Sequence, residues 1–387
     1  MTITIALLVT FVGGRISSHF KYPPILGQFI ASLVFAIPII RNNIFTLESI
    51  STIKVFADLA IIFLLLLAGL KTDIDRINQC RHDAIFVALF GSLVPLASGT
   101  LVGWLLGFNL VASFILGISL SITAEATNLA ILLQLKKLKT KIGSIVISAG
   151  MLNDVFGIIL LSLVLILAHK GGLSSLFLFP LKLVIFIVIV GLASKLIPPV
   201  LAYFEERKRP IAIFNVVIII ALAMAILSEV MGLSVILGAF IAGILLQQSF
   251  EFKRDEKHEE HEMETVLFGF IIPFFFINIA LNFDFRSIID YPVLILIVVA
   301  VAIAGKLIGA LLVKPFTKLK WRQLYLIGWE MNSRGVIELV IANIALSAGL
   351  ISTPLYSAIV LMAILTTIIS PFFIKNSIKK HPQIMNR

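Results

Sequence analysis

Charged residues are scarce in this sequence. Asp, Glu, Lys and Arg make up 13% of its 387 residues, whereas 59% of the residues are hydrophobic. A soluble globular chain carries about 25% charged residues, so most of this protein's surface is expected to face lipid. The composition therefore predicts a protein that crosses the membrane many times.

Several motifs and residue types are also missing. Cysteine occurs once, as Cys80, which excludes an intramolecular disulfide and a cysteine-rich metal site. The sequence contains neither of the enzyme signatures H-E-x-x-H and G-x-S-x-G, and it has no nucleotide-binding G-x-G-x-x-G. The net charge of +10 lies in short loops between apolar runs, a pattern typical of membrane orientation rather than phosphate binding. We expect neither enzymatic activity, nor a cofactor, nor a nucleic-acid partner.

Long apolar runs are what the sequence has instead. About thirteen of them approach the roughly 20 residues that an α-helix needs to span a bilayer, which predicts an all-α polytopic protein. The loops and span ends on one side hold 22 Lys and Arg residues, and those on the other side hold 5. The basic side marks the cytoplasm. We therefore predict a cell-membrane protein with its N-terminus outside and its C-terminus inside.

One acidic residue stands in the middle of the sixth apolar run, residues 141–168. It is Asp154, and it follows Asn153. An ionised carboxylate at that depth costs several kcal/mol unless something pairs with it, and residues of this kind mark ion pathways. The position predicts a site that handles an ion. Asn153 has two open readings, as a ligand in this site or as a structural hydrogen-bonding group.

Two other runs contain polar interruptions. The fifth run breaks at residues 123–128 and the twelfth at residues 330–335, at the same ordinal position in two triplets of spans that cross the membrane in opposite directions. Such an inverted repeat is common in transporters and would make two broken helices cross near the midplane. The half-helix ends carry partial charges, and we expect Glu125 and Arg334 to compensate them.

Four motifs resemble one known family. They are T-A-E-A-T-N-L-A-I-L-L-Q-L-K-K-L-K-T-K-I-G-S at 123–144, I-S-A-G-M-L-N-D at 147–154, A-I-A-G-K-L-I-G-A at 302–310 and N-S-R-G-V-I-E-L-V at 332–340. Together they are similar to the monovalent cation:proton antiporter superfamily, in its thirteen-helix branch of sodium/proton and potassium/proton exchangers. The resemblance covers nearly the whole chain.

The resemblance implies roles for individual residues. Asp154 matches the carboxylate that binds both the cation and the proton. Thr123 lies in the first helix break, and Lys306 matches the basic residue of the core. Arg334 and Glu338 belong to the second broken helix and its surroundings.

The resemblance also implies a division of the chain and a homodimer. A six-helix core domain, residues 83–170 and 290–387, would hold the ion site. It would slide against a dimerisation domain formed by residues 1–82 and 171–289.

These observations lead to a functional prediction. We expect a secondary antiporter that exchanges a monovalent cation, Na+, for H+ by alternating access, with the Asp154 carboxylate and the Thr123 hydroxyl as ligands of the transported ion. Alkali cations are held by oxygen atoms that replace their hydration shell. The alternatives are a K+/H+ antiporter or K+ efflux protein, a sodium-coupled organic-anion symporter, and a channel that conducts without coupling.

Overall fold

The structure is a computed structural model. It describes residues 1–20, 24–72, 81–123, 132, 137, 140–168, 172–205, 210–250, 265, 267–381 and 384–385. The regular structure in these ranges is helical. Glu125, with the rest of the first predicted break after Thr123, lies outside the described residues.

Eight α-helices fall in the described part of the first half of the chain. They are α1 Thr2–His19, α2 Pro24–Ser32, α3 Pro38–Ile44, α4 Leu47–Leu70, α5 Arg81–Leu105, α6 Leu110–Ser121, α7 Lys141–Ala168 and α8 Gly172–Glu205. Eight more follow in the second half. They are α9 Pro210–Val230, α10 Val235–Phe250, α11 Ile272–Asn282, α12 Arg286–Asp290, α13 Pro292–Leu312, α14 Trp321–Glu330, α15 Val336–Ser347 and α16 Thr353–Lys380.

The lengths and hydropathies of these helices confirm a multi-pass, all-α membrane protein. Among the described residues, seven helices are long and apolar enough to cross a bilayer, or eight if one bent pair is counted as a span, and five shorter apolar helices accompany them. The total of thirteen spans stays a prediction.

The bent pair lies in the second apolar run. Residues 24–36 and 38–44 meet at an angle of 87°. Pro38 is the first residue of α3, where its missing N–H costs nothing, and it follows Ile37, which is in an extended conformation. The proline thus ends one helix and begins the next in a different direction.

Apolar side chains cover much of the outer surface. Helix α8 is the clearest case, since only 11% of its most apolar window, residues 180–199, is buried within the chain. Leu181, Val184 and Leu196 are each more than half exposed. In a soluble protein such a continuous apolar face would be unusual, whereas in a bilayer it is the expected surface.

Close glycine contacts bring three helices together beside the predicted ion site. A Cβ atom on Gly117 of α6 would lie 2.5 Å from the carbonyl oxygen of Leu96 in α5. A Cβ atom on Gly309 of α13 would likewise lie 2.5 Å from the carbonyl oxygen of Phe90 in α5. Both distances are too short for a real side chain, so glycine permits these helices to approach closely. Helix α5 therefore lies directly against α6 and α13.

Candidate ion-binding site

Asp154 and Asn153 lie at the middle of α7. This helix has 28 residues and is therefore about 42 Å long, so the pair sits near its midpoint. Asn153 is 1% exposed and Asp154 is 5% exposed. The structure thus places a carboxylate and an amide deep inside the protein, at the depth that the sequence predicted.

Asn153 joins α7 to two other parts of the chain. Its Oδ1 atom accepts a hydrogen bond of 2.6 Å from the Ser92 hydroxyl of α5. Its Nδ2 atom donates to the Thr123 hydroxyl oxygen over 3.3 Å. These bonds orient Asn153 between α5 and the end of α6, as a structural hydrogen-bonding group would be, and its role as a ligand stays a prediction.

The fifth run leaves the helical conformation where the sequence predicted a break. Helix α6 ends at Ser121, and Ile122 is extended, with φ −75° and ψ 155°. The last carbonyls of a helix have no intrahelical partner and carry a partial negative charge. In the described part of this run, the C-terminal end of α6 therefore points its free carbonyls into the core.

Lys306 supplies positive charge to this helix end. Its side chain is completely buried. The ammonium donates hydrogen bonds to the carbonyl oxygen of Ser121, to the Thr123 hydroxyl oxygen over 2.8 Å, and to the carbonyl oxygen of Gly91 over 2.8 Å. A lysine ammonium has three N–H donors, and each of them has an acceptor here.

Thr123 consequently accepts hydrogen bonds from both Lys306 and Asn153. A hydroxyl oxygen has two lone pairs, so both are in use in this conformation. A cation that binds this oxygen must displace one of the two donors. In this conformation the Thr123 hydroxyl oxygen therefore has no lone pair left for an ion, and its role as a ligand stays a prediction.

Arg334 brings a second positive charge to the end of α6. Its Nη1 atom donates to the carbonyl oxygens of Ser119 at 3.2 Å, Leu120 at 2.5 Å and Ile122 at 2.7 Å. The Nη2 atom donates to Ala302 of α13 over 3.4 Å. Arg334 therefore compensates the dipole of the first half-helix, as the sequence predicted from its position in the opposite break.

The second break separates α14 from α15 at residues 331–335, as predicted. Thr367 of α16 fixes its backbone, because its hydroxyl accepts from the Arg334 N–H at 3.2 Å and donates to the Arg334 carbonyl at 2.8 Å. Glu338, in the first turn of α15, places an oxygen 4.0 Å from Arg334 Nη1, and both side chains are completely buried. Arg334 thus faces Glu338 on one side and α6 on the other.

The charged residues of the core lie close enough to influence one another. Lys306 interacts electrostatically with Arg334, Glu338 and Asp154. The structure thus brings together four of the charged residues selected from the sequence. Glu125 was also selected, but it lies outside the described residues.

Some contacts of this site were missed by sequence reasoning. Ser92 and the Gly91 carbonyl belong to an apolar run with no charge to mark them. Only the contacts of α5 with α7, for Ser92, and with α13, for Gly91, reveal their roles. Thr367 is equally inconspicuous in the last span. Glu330 was selected only as the first residue of the second break, yet it is a completely buried acid.

Comparisons with known proteins agree with this arrangement. The profile of the transmembrane sodium/hydrogen exchanger family matches residues 3–379. The chain is 30% identical to a Na+/H+ antiporter of Enterococcus hirae, over 97% of this chain and 96% of that protein. It is 29% identical to the Na+/H+-K+ antiporter GerN of Bacillus cereus, over 96% and 94% of the two chains. Among solved structures, the sodium proton antiporter MjNhaP1 of Methanocaldococcus jannaschii has the same fold, with a TM-score of 0.69 at 16% identity over 97% and 95% of the chains.

Proposed function

The chain belongs to the sodium/hydrogen exchanger family, and we propose that it is a secondary active antiporter that exchanges Na+ for H+ through Asp154. The observation that carries this proposal is the buried position of Asp154 at the middle of α7, in the polar core that also holds the end of α6. There the Ser121 carbonyl and the Thr123 hydroxyl accept hydrogen bonds from the Lys306 ammonium. The E. hirae relative, which is named as a Na+/H+ antiporter, supports the choice of ions.

Competition for one carboxylate explains how exchange is coupled. A proton or a dehydrated sodium ion can neutralise Asp154, but the two cannot do so together. A charged, empty site is expensive to move through a low-dielectric region, whereas a neutralised site is not. If the domain that carries Asp154 moves only when the site is neutral, each crossing carries either a proton or a cation. Neither ATP nor a prosthetic group is needed.

We propose the Asp154 carboxylate and the Thr123 hydroxyl as the ligands of the sodium ion. Asn153, which precedes Asp154 in the chain, donates a hydrogen bond to the Thr123 hydroxyl. Because both lone pairs of Thr123 are in use, we propose that the incoming ion displaces the Lys306 ammonium from this oxygen. Because like charges repel, moving the ammonium away also lowers the cost of bringing a cation to the Thr123 oxygen.

We propose that residues 83–170 and 290–387 move as the core domain against residues 1–82 and 171–289. The hydrogen bonds of the site stay within the core segments. One buried apolar cluster, which includes Val87, Val146 and Ile327, is drawn from the core segments alone, and another, which includes Phe35, Ile53 and Phe274, from the remaining segments. A third buried apolar cluster, which includes Leu65 and Leu116, is drawn from both sets of segments and would form the surface over which the two bodies slide in an elevator-like movement.

We also propose a homodimer in the cell membrane, with the N-terminus outside. The exposed apolar faces of α1 and α8 lie in the segments assigned to dimerisation and offer the surface for it. Cross-linking between single cysteines placed on α1 or α8, in a variant without the native Cys80, tests this arrangement in membranes. Cross-linked dimers are expected, and their absence from every position on α1 and α8 would contradict it.

The decisive substitution is Asp154→Asn. Asparagine has nearly the same shape but neither charge nor exchangeable proton, so the variant should insert normally and lose exchange. The measurement is sodium-driven proton movement in proteoliposomes. Asp290→Asn, at an exposed position at the end of α12, is the matched control and should exchange like the wild type. Exchange at the wild-type rate in Asp154→Asn would place the site elsewhere.

Potassium is the second candidate for the exchanged cation. GerN, which is named as a Na+/H+-K+ antiporter and is 29% identical to this chain, favours its inclusion. The same proteoliposomes, driven by Na+ in one set and by K+ in another, distinguish the two. We expect a lower Km for Na+, and a lower Km for K+ would replace sodium as the proposed cation.

A further inference from the structure

Glu330 is the last residue of α14 and is completely buried. Neither of its carboxyl oxygens has a hydrogen-bond partner among the residues that the structure describes. Its neighbours in the chain, Trp329 and Met331, belong to a buried apolar cluster together with Leu326 and Ile327. Within the described part of the chain, the carboxyl is therefore buried without a hydrogen bond, and its neighbours in the chain belong to an apolar cluster.

Nearby charges do not compensate this carboxyl either. Helix α14 packs against α7, α13 and α16. The charged groups on these helices, with one lysine just after α13, are Lys141 and Asp154 on α7, Lys306 on α13, Lys314 after it, and Lys375, Lys379 and Lys380 on α16. Among the ion pairs within the described residues, none includes Glu330. Lys306 in particular interacts with Arg334, Glu338 and Asp154 instead.

The break in the helix explains why Arg334 does not serve Glu330. Arg334 follows Glu330 by four residues and precedes Glu338 by four. In a continuous helix both acids would lie within reach of the guanidinium. The break turns Arg334 towards the end of α6 and towards Glu338, 4.0 Å away. The break that directs Arg334 towards α6 and Glu338 therefore leaves Glu330 without a counter-charge among the described residues.

From this geometry we propose that Glu330 is a second proton-binding site of the core, separate from Asp154 and occupied in the conformation described. An ionised carboxylate that is buried without hydrogen bonds or a counter-ion is far more costly than the neutral acid. The inference rests on the burial of Glu330 and not on which cation is exchanged.

Infrared spectroscopy of the purified protein tests this state directly. A protonated carboxyl has a C=O stretching band that an ionised carboxylate lacks. At neutral pH the wild type should show a protonated-carboxyl band that Glu330→Gln has lost. Glu229→Gln is the control. It removes an exposed acid near the end of α9 and should keep the band. Identical band intensity in wild type and Glu330→Gln would overturn the proposal.

Thermal unfolding against pH gives a second readout. If the folded protein holds a proton at Glu330 that the unfolded chain releases, raising the pH must lower the stability of the wild type relative to Glu330→Gln. We expect the Tm of the wild type to fall relative to that of Glu330→Gln as the pH rises from about 5, just above the pKa of a glutamate in an unfolded chain, to neutral. A difference in Tm that is the same at both pH values would contradict the proposal.

A leucine variant covers the case in which the glutamine variant does not fold. Glu330→Leu matches the apolar surroundings and should fold if the native side chain is neutral. Failure of both variants to fold would mean that the charge or polarity of Glu330 is required, which is also contrary to the proposal. Both measurements use protein that need not transport, so they remain informative even if Asp154 is not the exchange site.

Discussion

Helices α6 and α14 both end inside the core, but different groups satisfy their last carbonyls. At the end of α6, the donors are the cations Lys306 and Arg334, which come from distant parts of the chain. At the end of α14, Asn332 donates to the Gly328 carbonyl over 3.0 Å, and Ser333 donates to the Glu330 carbonyl over 2.8 Å. The first break is thus held by charge, and the second by neutral side chains, two from its own segment and Thr367 from α16.

This difference supports the proposed ion site beside α6. At a helix end held by cationic side chains, an incoming cation can replace one of their hydrogen bonds. Neutral side chains that hold a helix end carry no positive charge that an incoming cation could replace. Substitutions should therefore have large effects at the end of α6 and small effects at the end of α14.

The largest effect is expected from Arg334→Met. This change removes charge-assisted hydrogen bonds to α6 and leaves Glu338 buried without its counter-ion. Loss of one partner of a buried pair costs about 3–5 kcal/mol. The measurement is thermal or denaturant unfolding in detergent. Arg322→Met, at an exposed position in the first turn of α14, is the control and should change stability by less than about 1 kcal/mol. Equal effects of the two substitutions would show that α6 does not depend on Arg334.

An intermediate effect is expected at Thr123. Thr123→Val removes the hydroxyl that we assign to the cation and should raise the apparent Km for the cation by about tenfold, equivalent to about 1.4 kcal/mol. Thr123→Ser keeps the hydroxyl and should stay close to the wild type. The measurement is transport rate against cation concentration. A similar Km in both variants would remove Thr123 from the ligand set.

The smallest effect on transport is expected at the second break. Thr367→Val removes two hydrogen bonds to the backbone of Arg334, and a neutral hydrogen bond contributes about 0.5–1.5 kcal/mol. We expect a fall in stability of about 1–3 kcal/mol and an unchanged Km. A Km that rises as much as in Thr123→Val would mean that the second break also contributes to cation binding.

The sequence predicts those parts of the site that conflict with a membrane environment. Asp154, Lys306 and Arg334 are recognisable because each places a charge inside an apolar run, where a charge is costly unless it has a partner or a function. The breaks at 123–128 and 330–335 are recognisable because polar residues interrupt spans. The structure has non-helical backbone at both, as far as the first of them is described.

Other features depend on which helix faces meet, and hydropathy contains little information about that. Ser92 is one hydroxyl among many, and its bond to Asn153 exists only because α5 packs against α7. The isolation of Glu330 is similar. Its spacing from Arg334 suggests an ion pair, and only the course of the chain through the break shows that the pair does not form. The bend between α2 and α3 has a local cause in Pro38, but no residue of the sequence indicates its angle of 87°.

The central claim is that a proton and a cation share Asp154, and the apparent Km for the cation as a function of pH tests it most directly. Transport rates in wild-type proteoliposomes would be measured against cation concentration at several pH values. Shared occupancy predicts that the Km rises as the pH falls, by about tenfold per pH unit where protons fill the site, because the two ligands compete by mass action. A Km that does not change with pH would contradict a shared site.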